Sequence, residues 1–170
     1  MATLQQEPAG GMAALHVLVI DDNEHMRMIL LAMLRSLGVQ RLREAAHGGE
    51  GLAILKEWPA DLAIVDFRMT PVDGVSFARS VRAPDSPNRH LPMIMLTGHS
   101  EASRVEEARD AGVNEFMAKP LSPRVLVQRL AAVVSRDADY VDAADYYGPC
   151  RRRRVDVDYK GPFRRATDAR

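Results

Sequence analysis

The sequence predicts an α/β protein: a parallel sheet of five strands, helices on both faces, and an irregular C-terminal tail. Two observations carry this reading. Between residues 15 and 135, short apolar runs alternate five times with amphipathic segments, the repeat that builds a parallel sheet covered on both sides. Beyond residue 136 the alternation stops, and an aspartate-rich stretch gives way to an arginine-rich one from residue 151.

Residues 1–14, with Pro8, Gly10 and Gly11, read as a disordered leader. Leu15–Ile20 is a continuous apolar run ending in acids, as a strand buried on both faces requires. Asn23 is placed to cap a helix in which Met26, Ile29, Leu30, Met33, Leu34 and Leu37 recur at helical spacing, and Gly38 ends it. Leu42–Ala45 is a weaker second strand, and Gly48–Trp58 is a second helix stopped by Pro59. Leu62–Val65 forms the third strand and runs directly into Asp66. Val75–Val81 is helical, while Arg82–His90, with Pro84 and Pro87, reads as loop. Met93–Leu96 is the fourth strand. Ser100 is positioned to cap a helix reaching Ala111, closed by Gly112, and Glu115–Ala118 is the fifth strand. Ser122 and Pro123 open a last helix to about Ser135.

Composition narrows the function classes. The chain has 170 residues, 46% of them hydrophobic, and a formal net charge of zero. That total hides a division. Residues 1–136 carry 15 bases and 16 acids, whereas the segment from 151 onward carries eight bases against three acids, preceded by Asp137, Asp139, Asp142 and Asp145. The basic end should attract anions. Cys150 is the only cysteine, so no internal disulfide forms and a reducing compartment is expected. No signal-peptide pattern and no apolar run near the roughly 20 residues of a membrane span occur. The expectation is a cytoplasmic protein without membrane insertion.

The chemistry lies where the strands end. The first strand ends in Asp21 and Asp22, the third in Asp66, the fourth in Thr97 and the fifth in Lys119. In a parallel sheet these ends share one edge, so five polar groups converge on one crevice. Three carboxylates held together repel one another unless a cation joins them, and a hard, oxygen-rich site of this kind suits Mg²⁺. Lys119 adds a fixed positive charge and Thr97 a hydroxyl donor, both suited to a phosphoryl group. Asp66 is then the natural nucleophile, since carboxylates form aspartyl phosphates. Gly98 leaves room for the incoming group.

With these residues in view, residues 15–135 resemble a response-regulator receiver domain of the CheY-like family. The resemblance rests on Asp21–Asp22, on Asp66 with Asp73–Gly74 in DFRMTPVDG, on Thr97–Gly98, and on Lys119–Pro120. It implies the strand order 2-1-3-4-5 shared by flavodoxin and CheY. It implies that Asp22 and Asp66 bind Mg²⁺ directly, Asp21 through water, and that the backbone carbonyl of Arg68 completes the protein's ligands. A cis peptide between Lys119 and Pro120 is implied as well. Phe116 takes the place of a switch aromatic that follows Thr97 when Asp66 is phosphorylated, with output through the fourth helix, fifth strand and fifth helix. The implied partners are a sensor histidine kinase or phosphotransfer protein upstream and an output protein downstream. The chain is not expected to be an enzyme in the turnover sense. Two departures stand out: Thr70 occupies the position where the family places proline, with Pro71 following, and Arg68 and His99 occupy positions that influence how water reaches the phosphoryl group. The first predicts an altered loop around an intact site.

The tail, read as residues 137–170 and largely disordered without ligand, carries a repeat. Gly148-Pro149-Cys150-Arg151-Arg152 is matched by Gly161-Pro162-Phe163-Arg164-Arg165, and Arg152-Arg153 with Asp156 is matched by Arg164-Arg165 with Asp168. Arginine binds phosphate and the guanine edge, aspartate can accept from guanine, and Tyr147, Tyr159 and Phe163 offer stacking faces. Guanine and phosphate in a twofold ligand point to cyclic di-GMP. The tail resembles the arginine-rich extension of a CheY-like subclass that binds this nucleotide and acts on the flagellar motor. The predicted nucleotide-binding set is Tyr147, Arg151, Arg152, Arg153, Asp156, Tyr159, Arg164, Arg165 and Asp168. A solvated basic tail that binds polyanions without selectivity remains open, as does a second arrangement in which cyclic di-GMP drives docking to a motor switch or kinase and receiver phosphorylation is secondary. A single basic run without a recognition helix offers no specific DNA readout.

Overall fold

β1 (His16–Ile20) has Val17 to Ile20 fully buried, and it is an interior strand of the sheet. The computed structural model describes residues 11–98, 104–134 and 140–150. β1 pairs in parallel with β2 (Arg41–Ala45) on one side and β3 (Leu62–Asp66) on the other, β3 pairs with β4 (Met93–Thr97), and β4 with β5 (Glu115–Ala118). The order is β2-β1-β3-β4-β5, as expected. The helices are α1 (Gly11–Ala14), α2 (Glu24–Ser36), α3 (Gly48–Glu57), α4 (Gly74–Arg82), α5 (Val105–Asp110) and α6 (Pro123–Val134).

The alternation of side chains along each strand divides the core in two. Leu18, Ile20, Ala63, Val65, Met93 and Met95 face α3, α4 and α5, meeting Leu55, Phe77, Ala78, Val81 and Ala108. Val17, Val19, Ile64, Ile94, Leu96 and Met117 face the other way, onto Leu30 and Leu34 of α2 and Leu126, Leu130 and Val133 of α6. Truncating a side chain such as Leu18 to alanine in either layer should cost about 2–5 kcal/mol.

Local chemistry fixes the helix starts. Asn23 caps α2 by accepting from the Met26 amide, as expected. At α3 the ring of His47 accepts from the Glu50 amide while the Glu50 carboxylate accepts from the Ala46 amide, a reciprocal arrangement of the capping-box kind. Asp73 caps α4 through the Ser76 amide at 2.7 Å. Gly112 closes α5 at φ +86°, a conformation that glycine alone adopts without strain.

Three expectations need correction, and a fourth is tested only in part. The leader is not wholly irregular, because Gly11–Ala14 forms a helical turn from which Met12 packs on the second core layer; its first ten residues lie outside the described ones. Arg82 belongs to α4 and not to a loop. It is 5% exposed, and no sequence pattern marks an arginine for burial. The helix expected from Ser100 is described as Val105–Asp110, and Ser100 lies outside the described residues. The described part of the expected disordered tail is ordered: β6 (Tyr140–Ala143) and β7 (Tyr146–Pro149) pair antiparallel around a two-residue turn at Ala144–Asp145.

A lone hairpin is marginal in water and needs something to pack against. This one docks on the ends of α4 and α5. The Arg82 guanidinium donates to the carbonyls of Gly112, Arg89 and Leu91 and to Asn114 Oδ1 at 2.7–3.1 Å, and lies 5.2 Å from the Tyr140 ring centroid. The Tyr140 hydroxyl donates to the His90 carbonyl at 2.8 Å, and Arg89 pairs with Asp142 at 3.2 Å. Gly148 approaches Gly112 so closely that a Cβ on Gly148 would stand 2.8 Å from the Gly112 Cα. The segment expected to be largely disordered therefore contains Tyr140, which settles on a buried arginine.

Candidate phosphoryl-accepting site

Asp21 follows β1 and is fully buried, with its Oδ1 accepting from the Asn23 amide at 2.8 Å and its backbone carbonyl accepting from Arg27 at 2.8 Å. Asp22 beside it is exposed. Asp66, the last residue of β3, is 6% exposed. One carboxylate oxygen from each of the three lies within 4.8 Å of the others. Lys119, just past β5, reaches back so that its Nζ is 2.8 Å from Asp66 Oδ1 and 3.3 Å from Asp21 Oδ2. Its backbone amide donates to the Thr97 carbonyl at 2.8 Å, which ties the end of β5 to the end of β4. The Lys119–Pro120 peptide is cis.

The electrostatics follow from this packing. Burial pushes the Asp66 carboxyl above the usual carboxylate range, and the charges of Asp21 and Asp22 push the same way against Lys119. Burial works to lower the Lys119 ammonium, but its hydrogen bond to Asp66 and the charges of Asp66 and Asp21 overcome this and hold it above its ordinary value. Three carboxylates against one ammonium leave uncompensated negative charge. Such a donor set, all oxygen and partly open, fits a hard divalent cation.

Residues 17–131 match the family profile described as the response regulator receiver domain. The chain is 32% identical over 120 residues to the chemotaxis protein CheY-3 of Vibrio cholerae, covering 71% of this chain and 92% of that protein. It is 33% identical over 120 residues to CheY of Pseudomonas aeruginosa, covering 71% and 96%. The receiver domain belongs to this chain's own fold. A putative response regulator from Chloroflexus aurantiacus aligns with a TM-score of 0.65 at 32% identity, over 71% of this chain and 98% of that one. The receiver domain of the Pseudomonas aeruginosa sensor histidine kinase PA1611, solved with a magnesium ion in its active-site cleft, aligns with a TM-score of 0.65 at 30% identity, over 72% and 98%. This chain belongs to the response regulator receiver family.

In this receiver Thr97 closes β4, 7% exposed. Phe116 is half-buried on β5, packed against the first core layer, with the Arg109 guanidinium 5.8 Å from its ring centroid. Met95 pairs with Phe116 and Thr97 with Ala118, so Thr97 and Phe116 occupy diagonal positions on one face of the sheet. Gly74 meets a steric demand: a Cβ there would collide with the Asp66 carbonyl oxygen. The loop between them carries a second cis peptide, Thr70–Pro71, at the departure noted in the sequence. A cleft of about 320 Å³ opens beside the acids, lined by Asp22, Phe67, Arg68, Met69, Thr70, Asp73 and Arg104.

The receiver thus gathers Asp21, Asp22, Asp66 and Lys119 within bonding reach and sets Arg68 on the cleft. Arg104 was not foreseen, because nothing in the sequence separates it from other solvent-facing arginines of an amphipathic helix. Tyr147 is half-buried and makes contacts within the fold. The Arg89 guanidinium lies 3.5 Å from its ring centroid, Tyr140 stacks at 5.7 Å, and its hydroxyl meets the His90 ring at 2.9 Å. His99 and the remaining predicted nucleotide-binding residues, Arg151, Arg152, Arg153, Asp156, Tyr159, Arg164, Arg165 and Asp168, lie outside the described residues. Among the described residues no helix is long and apolar enough to cross a membrane.

Proposed function

We propose that this receiver accepts a phosphoryl group on Asp66 from a sensor histidine kinase or phosphotransfer protein and signals by protein contact in the cytoplasm, without turning over a substrate. The observation that supports it is the Lys119 ammonium lodged between Asp66 and Asp21 at 2.8 and 3.3 Å, inside a cluster of three carboxylates. An Asp66 carboxylate oxygen attacks the donor phosphorus, the bond from phosphorus to the donor's imidazole nitrogen breaks, and the imidazole leaves with its electron pair and takes up a proton. Lys119 and Thr97 donate hydrogen bonds to the phosphoryl oxygens as the bond forms. Asp22, Asp66 and the Arg68 carbonyl are the groups that would hold Mg²⁺ directly, with Asp21 through water, and the bound ion would neutralise charge on the transferred group. Phosphorylation would draw Thr97 toward the new oxygens and let Phe116 follow, altering the face formed by α5, β5 and α6.

The arginine-rich segment 151–170 is proposed to take cyclic di-GMP, and through it to favour an output partner such as a flagellar motor switch or a kinase. Its repeated Arg-Arg-x-x-Asp pattern supports this assignment.

Labelling with acetyl phosphate in Mg²⁺ tests the first part, and the Asp66→Ala protein should take no label. Calorimetry of the full chain tests the second. Cyclic di-GMP should bind near one-to-one at physiological salt, and equal affinity for unrelated dinucleotides would overturn that assignment.

A further inference from the structure

We infer that Arg104 is a specificity-determining residue of the Asp66 cleft, one that recruits small anionic phosphodonors; this deepens the proposed function and rests on it.

The cleft presents a charge problem. Asp21, Asp22 and Asp66 converge within 4.8 Å, and Lys119 is already engaged between two of them. A small donor that carries its own negative charge is repelled by these acids, of which Asp22 also lines the cleft, and has no protein surface with which to dock. Positive charge at the rim meets both difficulties, since a charged mouth concentrates a counter-ion locally.

Arg104 supplies that charge from a fixed position. It lines the cleft with Asp22, Phe67, Arg68 and Asp73. Its guanidinium lies 4.9 Å from the ring centroid of Phe67, the residue next to the acceptor Asp66, a cation–π contact that orients the plane. Its Nε and one terminal nitrogen both reach Glu107 Oε2 at 2.9 Å. The other Glu107 oxygen is 3.6 Å from Arg79, so Glu107 is shared and cannot fully neutralise Arg104. A guanidinium carries five N–H donors in a rigid fork matched to phosphate oxygens. Glu107 takes two of them, and among the described residues the other three remain for an anion entering the cleft. The side chain is 47% exposed, as a rim residue must be to reach a solute.

The experiment compares Asp66 labelling by acetyl phosphate in Mg²⁺ for wild type, Arg104→Gln, Arg104→Lys and Glu107→Gln, resolving KM from the maximal rate. Arg104→Gln should raise KM about fivefold, the scale of one partly exposed charge-assisted pair, with the maximal rate changed less than about twofold. Arg104→Lys should restore part of the affinity, and Glu107→Gln, which frees the guanidinium, should lower KM. An unchanged KM in Arg104→Gln, or a fall in maximal rate at constant KM, would overturn the inference. A parallel titration of acetyl phosphate into Asp66→Asn, with and without Arg104→Gln and followed by NMR shifts of the cleft amides, separates the two readings. Arg104-dependent binding without any labelling of wild type would sink the acceptor assignment and uphold Arg104. Normal labelling with Arg104-independent binding would do the reverse.

Discussion

The ammonium of Lys119 lies 2.8 Å from Asp66 Oδ1 although the two are 53 positions apart in sequence, Asp66 ending β3 and Lys119 following β5. The sheet brings them together by register: Asp66 pairs with Leu96 on β4, and Thr97, one residue on, pairs with Ala118 on β5. An ammonium already held beside the acceptor is placed to donate also to the negative oxygens of a phosphoryl group transferred to it. Lys119→Ala should therefore slow acetyl phosphate labelling of Asp66 by about a hundredfold, the loss typical of one preorganised donor. Rates within threefold of wild type would argue against its role.

The same cluster sets a pH dependence. Asp66 is held above its unfolded value, chiefly by burial, so the folded state holds its proton more tightly than the unfolded chain does. The stability contributed by that proton is fully present below the unfolded value and is lost as pH rises through the raised one. In EDTA, the melting temperature of Asp66→Asn should therefore gain on wild type as pH climbs from about 4 to neutrality. Mg²⁺ should reverse the ranking, because the metal stabilises only the carboxylate form. Thermal scans at a series of pH values, with and without Mg²⁺, read both effects, and parallel curves for the two proteins would contradict them.

Much of the fold and most of the acceptor site were legible because both are written in local pattern. Strands such as Leu62–Asp66 are buried on both faces and read as unbroken apolar runs, and a parallel sheet must put their polar last residues on one edge. What stayed hidden depends on contacts between distant segments. Arg82 reads as a breakpoint beside Pro84, yet it is buried because Gly112, Leu91 and Asn114, up to 32 residues away, supply its acceptors. The hairpin was hidden for the same reason. Val141 and Ala143 give little strand pattern, and the segment packs where Arg82 and His90 receive its tyrosines.

That dependence makes Arg82 a stability residue outside the receiver's chemistry. Arg82→Ala would leave the Gly112 and Leu91 carbonyls without their guanidinium donor in a buried site, and the hairpin without its central contact. A loss of about 3 kcal/mol in urea unfolding is expected. Removing residues 135–170 should lower stability too, because it strips Tyr140 from Arg82. A shortened chain as stable as the full one would mean that the hairpin adds nothing to the fold.

Gly112 offers the sharpest test of how tightly the hairpin sits. Its φ of +86° is a left-handed conformation that a side chain strains, and a Cβ would stand 2.7 Å from the Tyr147 carbonyl oxygen. The first penalty concerns the end of α5 alone, and the second exists only while β7 is docked. Gly112→Ala should therefore cost about 1–2 kcal/mol from backbone strain in a chain ending at residue 134, and more than that in the full chain, where the hairpin must also shift. The two costs are separable by urea unfolding of the substitution in both lengths. Equal costs would mean that the contact between β7 and Gly112 carries no energy, and that the hairpin is held by Arg82 and the tyrosines alone.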